Sequence, residues 1–333
     1  MTYRRLSDVH PELFHYTSAK GLFSILQTQY LRATDWRYLN DFGELKHFSE
    51  ELSRLIMPEL VQRETENASK NRETKQWLTD HGGIDAYCSK QAKDLAEKMY
   101  KSLRLNDEDE SLFEFYVTSF CTPDGAFAEV RNHGLLSQWR YYGQQGGYAL
   151  VFDTAELEHL MELEHSHWSC MLSCGEVGYS SDSQEVLAER MESLSAFLEA
   201  FKNCQLDSQE AFEPLLEPFL DCCIHYKHWA FAEEKEVRLV AVLNGPRMLQ
   251  DYKVAGNTVV ERELHYFDRE KHQVPCLHLF EGLEVNRACR LPIRKIIVGP
   301  GPIQKQNERK LTGFLQDAGY DIEVTCSRIP IRF

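Results

Sequence analysis

Near the N-terminus, a histidine, a tyrosine and a threonine end a short apolar run in the segment LFHYTSAKGLFSIL (13–26). The run predicts a strand over 12–17, with His15 and Thr17 projecting to one side and Tyr16 to the other. An imidazole beside a hydroxyl suits the hydroxyl groups of a ribose, while the Tyr16 ring could stack on a ligand or pack in the core. The alternative is a histidine satisfied by backbone groups beside a helix cap.

A second group of polar residues lies far along the chain, in EEKEVRLVAVLNG (233–245), which predicts a strand closed by Asn-Gly. Alternation places Glu234, Glu236 and Arg238 on one face. Two neighbouring carboxylates repel, so we expect one to have a raised pKa or to pair with Arg238. Such carboxylates could stabilise positive charge developing at an anomeric carbon, as they do in glycoside hydrolases. A solvated edge strand whose charges oppose aggregation is the alternative.

A third group combines Ser119, at the end of a strand-forming run, with the aromatic segment SQWRYYG (137–143). Trp139, Tyr141 and Tyr142 could stack a planar heterocycle, and Arg140 could contact a phosphate. The alternative for these rings is packing in the core and at its rim.

The elements that must position these groups follow from apolar periodicity and turn residues. Ser18 is a plausible N-cap for a helix to about residue 30. The sequence then predicts one elaborated α+β domain over 1–333, because strand-like runs are spread along its whole length. Helices are expected in an insertion at about 41–112, in a second segment at about 184–230 and over 303–318. Further strands are expected over 112–121, 146–153, 257–267, 275–280, 293–301 and 321–327.

Composition limits the classes of partner. The formal net charge is −15, which argues against a general nucleic-acid coat or an anionic membrane surface as partner. The N-terminus lacks a secretory apolar region, and no run of about 18 apolar residues is present. Ten cysteines without a disulfide framework are expected to be reduced thiols. We therefore expect a cytoplasmic protein with no membrane partner.

The spacing of the histidine and cysteine residues predicts no metal site. The segments 165–174 and 222–228 are rich in histidine and cysteine, but neither has the paired spacing of a structural zinc site. The nucleotide-binding glycine patterns are absent as well.

The first segment resembles the opening motif of the ADP-ribosyltransferase superfamily, which includes poly-ADP-ribose polymerases and DarT-like toxins. The resemblance rests on apolar-x-His-x-Thr-Ser followed by Gly-Leu-x-x-Ile-Leu and Leu-Arg. It implies a split, mostly antiparallel sheet with helical insertions and NAD as co-substrate. It also implies that His15 holds the adenosine ribose, with Thr17 nearby. A late-strand glutamate stabilises the oxocarbenium in such enzymes, and Glu236 is our choice, with Glu234 as its partner. Tyr142, Tyr141 and Trp139 all stay open as the ring that stacks nicotinamide.

The chain is also similar to an uncharacterised bacterial family, a domain of unknown function, over nearly its whole length. The motifs that carry this resemblance are HYTS at 15–18, LND at 39–41 with Glu44, Ser119-Phe120-Cys121, WRYYG at 139–143, EKEVR at 234–238 and IIVGP at 296–300. Cys121 stands where relatives carry serine.

These resemblances lead us to expect an NAD-dependent mono-ADP-ribosyltransferase (a glycosyltransferase) of bacterial toxin or phage-defence type. Its partners would be NAD, a macromolecular acceptor (protein or nucleic acid) and an inhibitor protein. Arg140 or Arg238 would bind diphosphate or order the acids, and His15 and Glu236 must face one cleft.

Two other hypotheses stay open. One is a non-catalytic nucleotide-binding sensor on the same fold, with residues 62–112 as its partner surface. The other is a nucleic-acid-processing enzyme with a basic cleft. Its basic residues would be Arg287, Arg290, Arg294, Lys295, Arg328 and Arg332.

Overall fold

The computed structural model describes residues 5–39, 44–102, 111, 113–123, 128–142, 146–168, 171–204, 213–246, 249–250, 262–269, 272–283 and 290–331. Several positions that the sequence singled out lie outside this part: residues 40, 41, 143, 287 and 332, the side chain of Glu44 and the first half of the predicted strand over 257–267.

The elements are as follows. The strands are β1 Glu12–Thr17, β2 Leu31–Asp35, β3 Phe113–Cys121, β4 Tyr148–Asp153, β5 Met171–Glu176, β6 Gly178–Tyr179, β7 Tyr226–Lys227, β8 Glu236–Asn244, β9 His265–Arg269, β10 His272–Leu279, β11 Ile293–Val298 and β12 Glu323–Cys326. The helices are α1 Leu6–Val9, α2 Ala19–Thr28, α3 Glu44–Lys70, α4 Arg72–Asp80, α5 Ile84–Ser102, α6 Ala128–His133, α7 Leu136–Tyr142, α8 Thr154–Trp168, α9 Gln184–Arg190, α10 Glu192–Asn203, α11 Glu213–Ile224 and α12 Gln304–Ala318. Short 3₁₀ helices cover Trp36–Tyr38 and Trp229–Glu234.

Ten of these strands form one sheet. Its main path is β12-β11-β4-β1-β3-β2-β10-β9, and β8 pairs with β3 on one side and β5 on the other. Within the described part of this sheet, every pairing is antiparallel except that of β11 with β12. The prediction of an α+β fold with a mostly antiparallel sheet is confirmed.

Helices cover both faces of the sheet. On one face, α3, α5, α10 and α11 share a single apolar core with inward residues of β3 and β8. The helices predicted around 41–112 and 184–230 therefore pack on one another. On the opposite face, α2, α8 and α12 bury their apolar stripes against β1, β4 and β11. None of the helices in the described ranges is both long and apolar enough to cross a membrane.

Some local features differ from the sequence prediction. The helix after Ser18 was expected to reach about residue 30, but α2 ends at Thr28 because Gln29 adopts a left-handed conformation with φ of 57°. Ser18 is its N-cap, as predicted, since the Ser18 hydroxyl accepts a hydrogen bond from the Gly21 amide at 3.2 Å. The elements β2, α8 and β5 were not predicted, because polar residues interrupt their apolar patterns.

The sheet is split beside β3. Along one edge of β3, the pairing with β1 is limited to Phe14 opposite Cys121, and the pairing with β2 to Thr34 and Asp35 opposite Val117 and Tyr116. Between these pairs, no strand of the described residues adjoins this edge of β3. Side chains take over the missing ladder bonds. The His15 imidazole bonds the Ser119 carbonyl at 3.0 Å, and the Thr118 hydroxyl donates to the Arg32 carbonyl at 3.1 Å.

A close contact at Gly134 fixes α7 beside the split. Gly134 has a φ of +78°, and a Cβ there would lie 2.8 Å from both the Trp139 Nε1 and the Tyr16 hydroxyl. Trp139 is fully buried, and its Nε1 donates to the His133 carbonyl at 2.7 Å. Glycine therefore meets both a conformational and a steric requirement at this position.

We expect Gly134→Ala to reduce the free energy of unfolding by about 2 kcal/mol more than Gly282→Ala does. Gly282 has a similar φ of +75°, but no atom of the described residues lies within 4 Å of the position that a Cβ would take there. The control therefore carries the left-handed strain of about 1 kcal/mol without the overpacking that costs ~1–3 kcal/mol. Urea unfolding at pH 7 measures the difference. Equal losses in the two variants would contradict the close contact.

Candidate functional site

A cleft of about 560 Å³ opens at the split in the sheet. The walls come from β1, α2 and β2 on one side and from β3, α7 and the start of β8 on the other. Most of the site residues predicted from sequence line it: His15, Tyr16, Thr17, Ser119, Tyr141, Tyr142, Glu234, Glu236 and Arg238. Trp139 and Arg140 are not among its lining residues.

The acidic end of the cleft is built around Glu236, the first residue of β8. Its carboxylate is 5% exposed and accepts from Arg238 Nε at 3.0 Å and from the second guanidinium nitrogen at 3.2 Å. The two residues are two apart on one strand, so their side chains share a face. Lys227 Nζ, on β7, donates to the same carboxylate at 3.0 Å and to Glu234 at 2.8 Å. Two cations therefore hold Glu236 from two sides.

The electrostatics of this cluster keep Glu236 ionised. Burial alone would raise the pKa of Glu236, but Arg238 and Lys227, with a hydrogen bond from Ser119, lower that pKa to about 2. The sequence left two outcomes open for the carboxylates, a raised pKa or pairing with Arg238. The structure shows the pairing. Arg238 is itself 3% exposed and donates to the Ile224 carbonyl at 2.6 Å, so its position suits ordering the acid.

Two expectations about this strand are wrong. Glu234 does not lie on the strand with Glu236, because it ends the 3₁₀ helix Trp229–Glu234 and Lys235 then turns with φ of 45°. Glu234 still lines the cleft, where its carboxylate pairs with Lys227. The solvated edge-strand alternative is also wrong, since β8 is buried between β3 and β5.

His15 occupies the gap in the sheet. Because a carbonyl only accepts, Nδ1 carries the proton in the bond to Ser119, which leaves Nε2 as an acceptor. Burial lowers the pKa of His15 against the opposing effect of that hydrogen bond, so the ring is neutral at pH 7. Strand alternation gives His15 and Glu236 opposite faces of the ladder. Both nevertheless line one cleft, because that cleft opens at the split, where β1 and β3 no longer form one continuous sheet surface.

The aromatic residues of the site divide into two groups. Trp139 is fully buried, which removes it as a ring for stacking a ligand. Tyr16 is 5% exposed, accepts from the Leu135 amide at 2.7 Å and lies edge-on to Trp139, so it holds α7 in place. Tyr141 and Tyr142 are 63% and 37% exposed and both line the cleft. Arg140, between the two groups in sequence, is exposed outside the cleft lining.

Sequence reasoning missed four residues that shape the site. Lys227 lies in a histidine- and cysteine-rich segment with no recognisable pattern. At the other end of the cleft, Arg32 on β2 and Arg269 on β9 both lie over the Phe267 ring, with guanidinium carbons 4.5 and 5.4 Å from the ring centroid. These residues come together only through the pairing of β2, β10 and β9, which no local signal indicates.

Three of the basic residues near the C-terminus make local contacts within the described part of the chain. Arg290 donates to the Gln29 and Phe280 carbonyls, and Arg294 pairs with Asp153. Lys295 donates to the Arg131 carbonyl at 3.3 Å. None of these three lines the 560 Å³ cleft. Their charges are used in local contacts, which gives the nucleic-acid hypothesis no support.

We expect Glu236→Gln to lower the free energy of unfolding at pH 7 by about 3–5 kcal/mol, because Lys227 and Arg238 become buried cations without their shared carboxylate. The folded-state pKa of Glu236, about 2, lies below its unfolded value of ~4.3. Its contribution is therefore present above pH ~4.3 and is lost as the pH falls towards 2.

The difference in unfolding free energy between wild type and Glu236→Gln should accordingly narrow from pH 5 to pH ~2 in urea titrations. The exposed Glu233→Gln is the control and should stay within about 0.5 kcal/mol of wild type. A pH-independent difference would argue against an ionised, paired Glu236.

Comparison with known proteins gives a similarity to one family over part of the chain. The family described as Protein of unknown function (DUF2971) matches residues 138–239. The matched segment contains Tyr142, Lys227, Glu234, Glu236 and Arg238, but stops short of His15. No curated protein and no solved structure matches the chain. The chain is thus similar, over this segment, to a domain of unknown function.

Proposed function

We propose that this protein is an NAD-dependent mono-ADP-ribosyltransferase of bacterial toxin or defence type. The observation that carries the proposal is the buried, ionised Glu236 in one cleft with the neutral His15. The cleft volume of about 560 Å³ lies in the range of small-molecule and cofactor sites.

The chemistry assigned to Glu236 follows from the charge that develops on NAD. When the bond between nicotinamide and ribose breaks, its electron pair leaves with nicotinamide, which departs as a neutral molecule. Positive charge then grows on the ribose oxocarbenium, which a carboxylate stabilises. The low pKa of Glu236 keeps that carboxylate ionised at neutral pH. The acceptor's nucleophile bonds to the anomeric carbon and passes its proton to Glu234, which is 32% exposed at the cleft.

Other lining residues would position the rest of NAD. His15 Nε2 would accept from a hydroxyl of the adenosine ribose, with the Thr17 hydroxyl beside it. Tyr142 or Tyr141 would stack the nicotinamide ring, since both are partly exposed in the cleft. Arg32 and Arg269, at the far end, would offset the negative charge of the diphosphate.

The first test separates catalysis from folding. In Glu236→Gln, nicotinamide release from NAD in the presence of cell extract should fall at least about a hundredfold, by analogy with loss of an oxyanion-hole donor. The double variant Lys227→Met/Glu236→Gln removes one orphaned cation and should regain stability but not activity. Glu233→Gln should keep wild-type activity. Chromatography measures nicotinamide, calorimetry measures NAD binding, and circular dichroism verifies folding.

Several outcomes decide this test. Retained release in folded Glu236→Gln would remove the assigned role of that carboxylate. Wild-type protein that neither binds NAD nor releases nicotinamide with any extract would overturn the proposal as a whole.

The second test concerns the basic end of the cleft. Arg32→Gln and Arg269→Gln should each weaken NAD binding roughly tenfold, because a charge-assisted contact contributes ~1.5–3 kcal/mol before solvent screening. Arg309→Gln, which removes an exposed arginine outside the cleft lining, should bind NAD as wild type does. Calorimetric titration with NAD measures all three. Unchanged affinity in both cleft variants would place the diphosphate elsewhere.

A second candidate function has its own observation. Glu236 accepts from both Arg238 and Lys227, and with Glu234 these groups sum to zero charge. A carboxylate so fully neutralised suits a non-catalytic nucleotide sensor. For a sensor, we expect NAD or ADP-ribose to bind wild type without turnover, and binding to survive the loss of Glu236. In that case α3, α4 and α5 supply the surface for its partner.

A further inference from the structure

A cluster of metal-ligating side chains lies beside Tyr30, a residue that lines the cleft. His265 on β9, His278 on β10 and Glu281, in the turn after β10, place one ligand atom each within 4.8 Å of the others. β9 and β10 pair with His265 opposite Cys276, two residues before His278, so both imidazoles emerge on the same face of the hairpin. Twelve residues separate His265 from His278, and two separate His278 from Glu281. This spacing differs from the paired cysteine and histidine spacing of structural zinc sites.

The distances fit a shared cation. Glu281 Oε2 lies 3.6 Å from His265 Nε2 and 3.3 Å from His278 Nδ1. Ligands bound at ~2.0–2.2 Å to a tetrahedral Zn²⁺ stand about 3.3–3.5 Å apart. The Nδ1 of His278 is shielded from solvent and makes no well-directed hydrogen bond within the described part of the chain. When protonated, the imidazole forms an ion pair with Glu281. A divalent metal would take the place of that proton between the same two ligand atoms.

The two imidazoles lie in a stack that a metal would have to open. Their planes are 4° from parallel with centroids 3.7 Å apart, and Tyr30 stacks on the other side of His278 at 3.7 Å. A metal must lie near the plane of each ring it binds, so one ring has to turn. His265 is the ring able to do so, because it ends the stack, belongs to the terminal strand of the sheet and is 29% exposed.

The charge around the cluster permits a dication. Glu281 is 48% exposed, so solvent can supply the remaining ligands. Two arginines lie nearby, and each has another partner. Arg32, opposite His278 in the ladder, has its guanidinium over the Phe267 ring. Arg262 donates to the His278 carbonyl while it pairs with Glu164.

We propose that His265, His278 and Glu281 form a site for a divalent transition metal of the Zn²⁺ class, with two nitrogen ligands and one oxygen ligand. Imidazole with a single carboxylate is a donor set that selects such ions over Mg²⁺ or Ca²⁺. The site adjoins Tyr30, which lines the cleft. The proposal departs from the expectation of no metal and does not depend on the proposed transferase function.

The test uses the full chain, stripped with a chelator and titrated with Zn²⁺ and separately with Co²⁺. We expect about one ion per chain at the tightest site and a tetrahedral Co²⁺ absorption spectrum. His265→Ala and Glu281→Gln should each weaken this binding tenfold or more, since even outer-shell changes cost ~10–100-fold. His272→Ala, which removes an exposed histidine on the same hairpin, is the matched control and should bind as wild type.

Both ligand variants change partly exposed side chains, so circular dichroism should report a folded protein. The more buried His278→Ala, at 13% side-chain exposure, serves as a confirming variant. No uptake by wild type would overturn the proposal. So would equal uptake by wild type, His265→Ala and Glu281→Gln, because other surface histidines or cysteines would then bind the ion.

Discussion

The site depends on one interaction, the pairing of the buried Glu236 carboxylate with Lys227 and Arg238. A lone buried carboxylate would cost several kcal/mol of free energy, and two buried cations would cost more. Their mutual pairing therefore requires three elements to meet at one point. These are β7, which carries Lys227, the start of β8, and the end of α11, where the Ile224 carbonyl accepts from Arg238. The Tyr179 hydroxyl, which accepts from the Glu236 amide at 2.9 Å, adds β6 to the same junction.

The split beside β3 gives this charge cluster an opening. If β1 and β2 had continued along β3, the ladder would have closed over the position where the cleft lies. Instead the two strands leave this edge of β3 open, and the His15 imidazole and the Thr118 hydroxyl bond backbone carbonyls beside the gap. His15 is thus both part of the sheet's hydrogen bonding and part of the cleft wall. Its Nδ1 makes the backbone contact expected of a structural histidine. Its Nε2 is the acceptor expected of a ligand-binding histidine.

The two ends of the cleft differ in chemistry. The end near Glu236 contains equal numbers of carboxylates and cations and is well buried, whereas the end near Phe267 contains two exposed arginines beside an aromatic ring. This polarity suits an elongated ligand with a sugar at one end and an anionic, planar portion towards the other. It also explains how a chain with a net charge of −15 can present a local basic surface.

Strong local signals in the sequence determined much of the framework. The apolar run before His15, the Ser18 cap and the buried run of β8 predict their elements because each depends on neighbouring residues. The sequence also identified nine residues that line the cleft, His15 and Glu236 among them. Tertiary structure alone decided that Trp139 is core, that Glu234 lies off the strand, and that Lys227, Arg32 and Arg269 belong to the site. Those outcomes follow from strand pairing and charge pairing between distant segments, and such long-range contacts leave no periodic pattern in the chain.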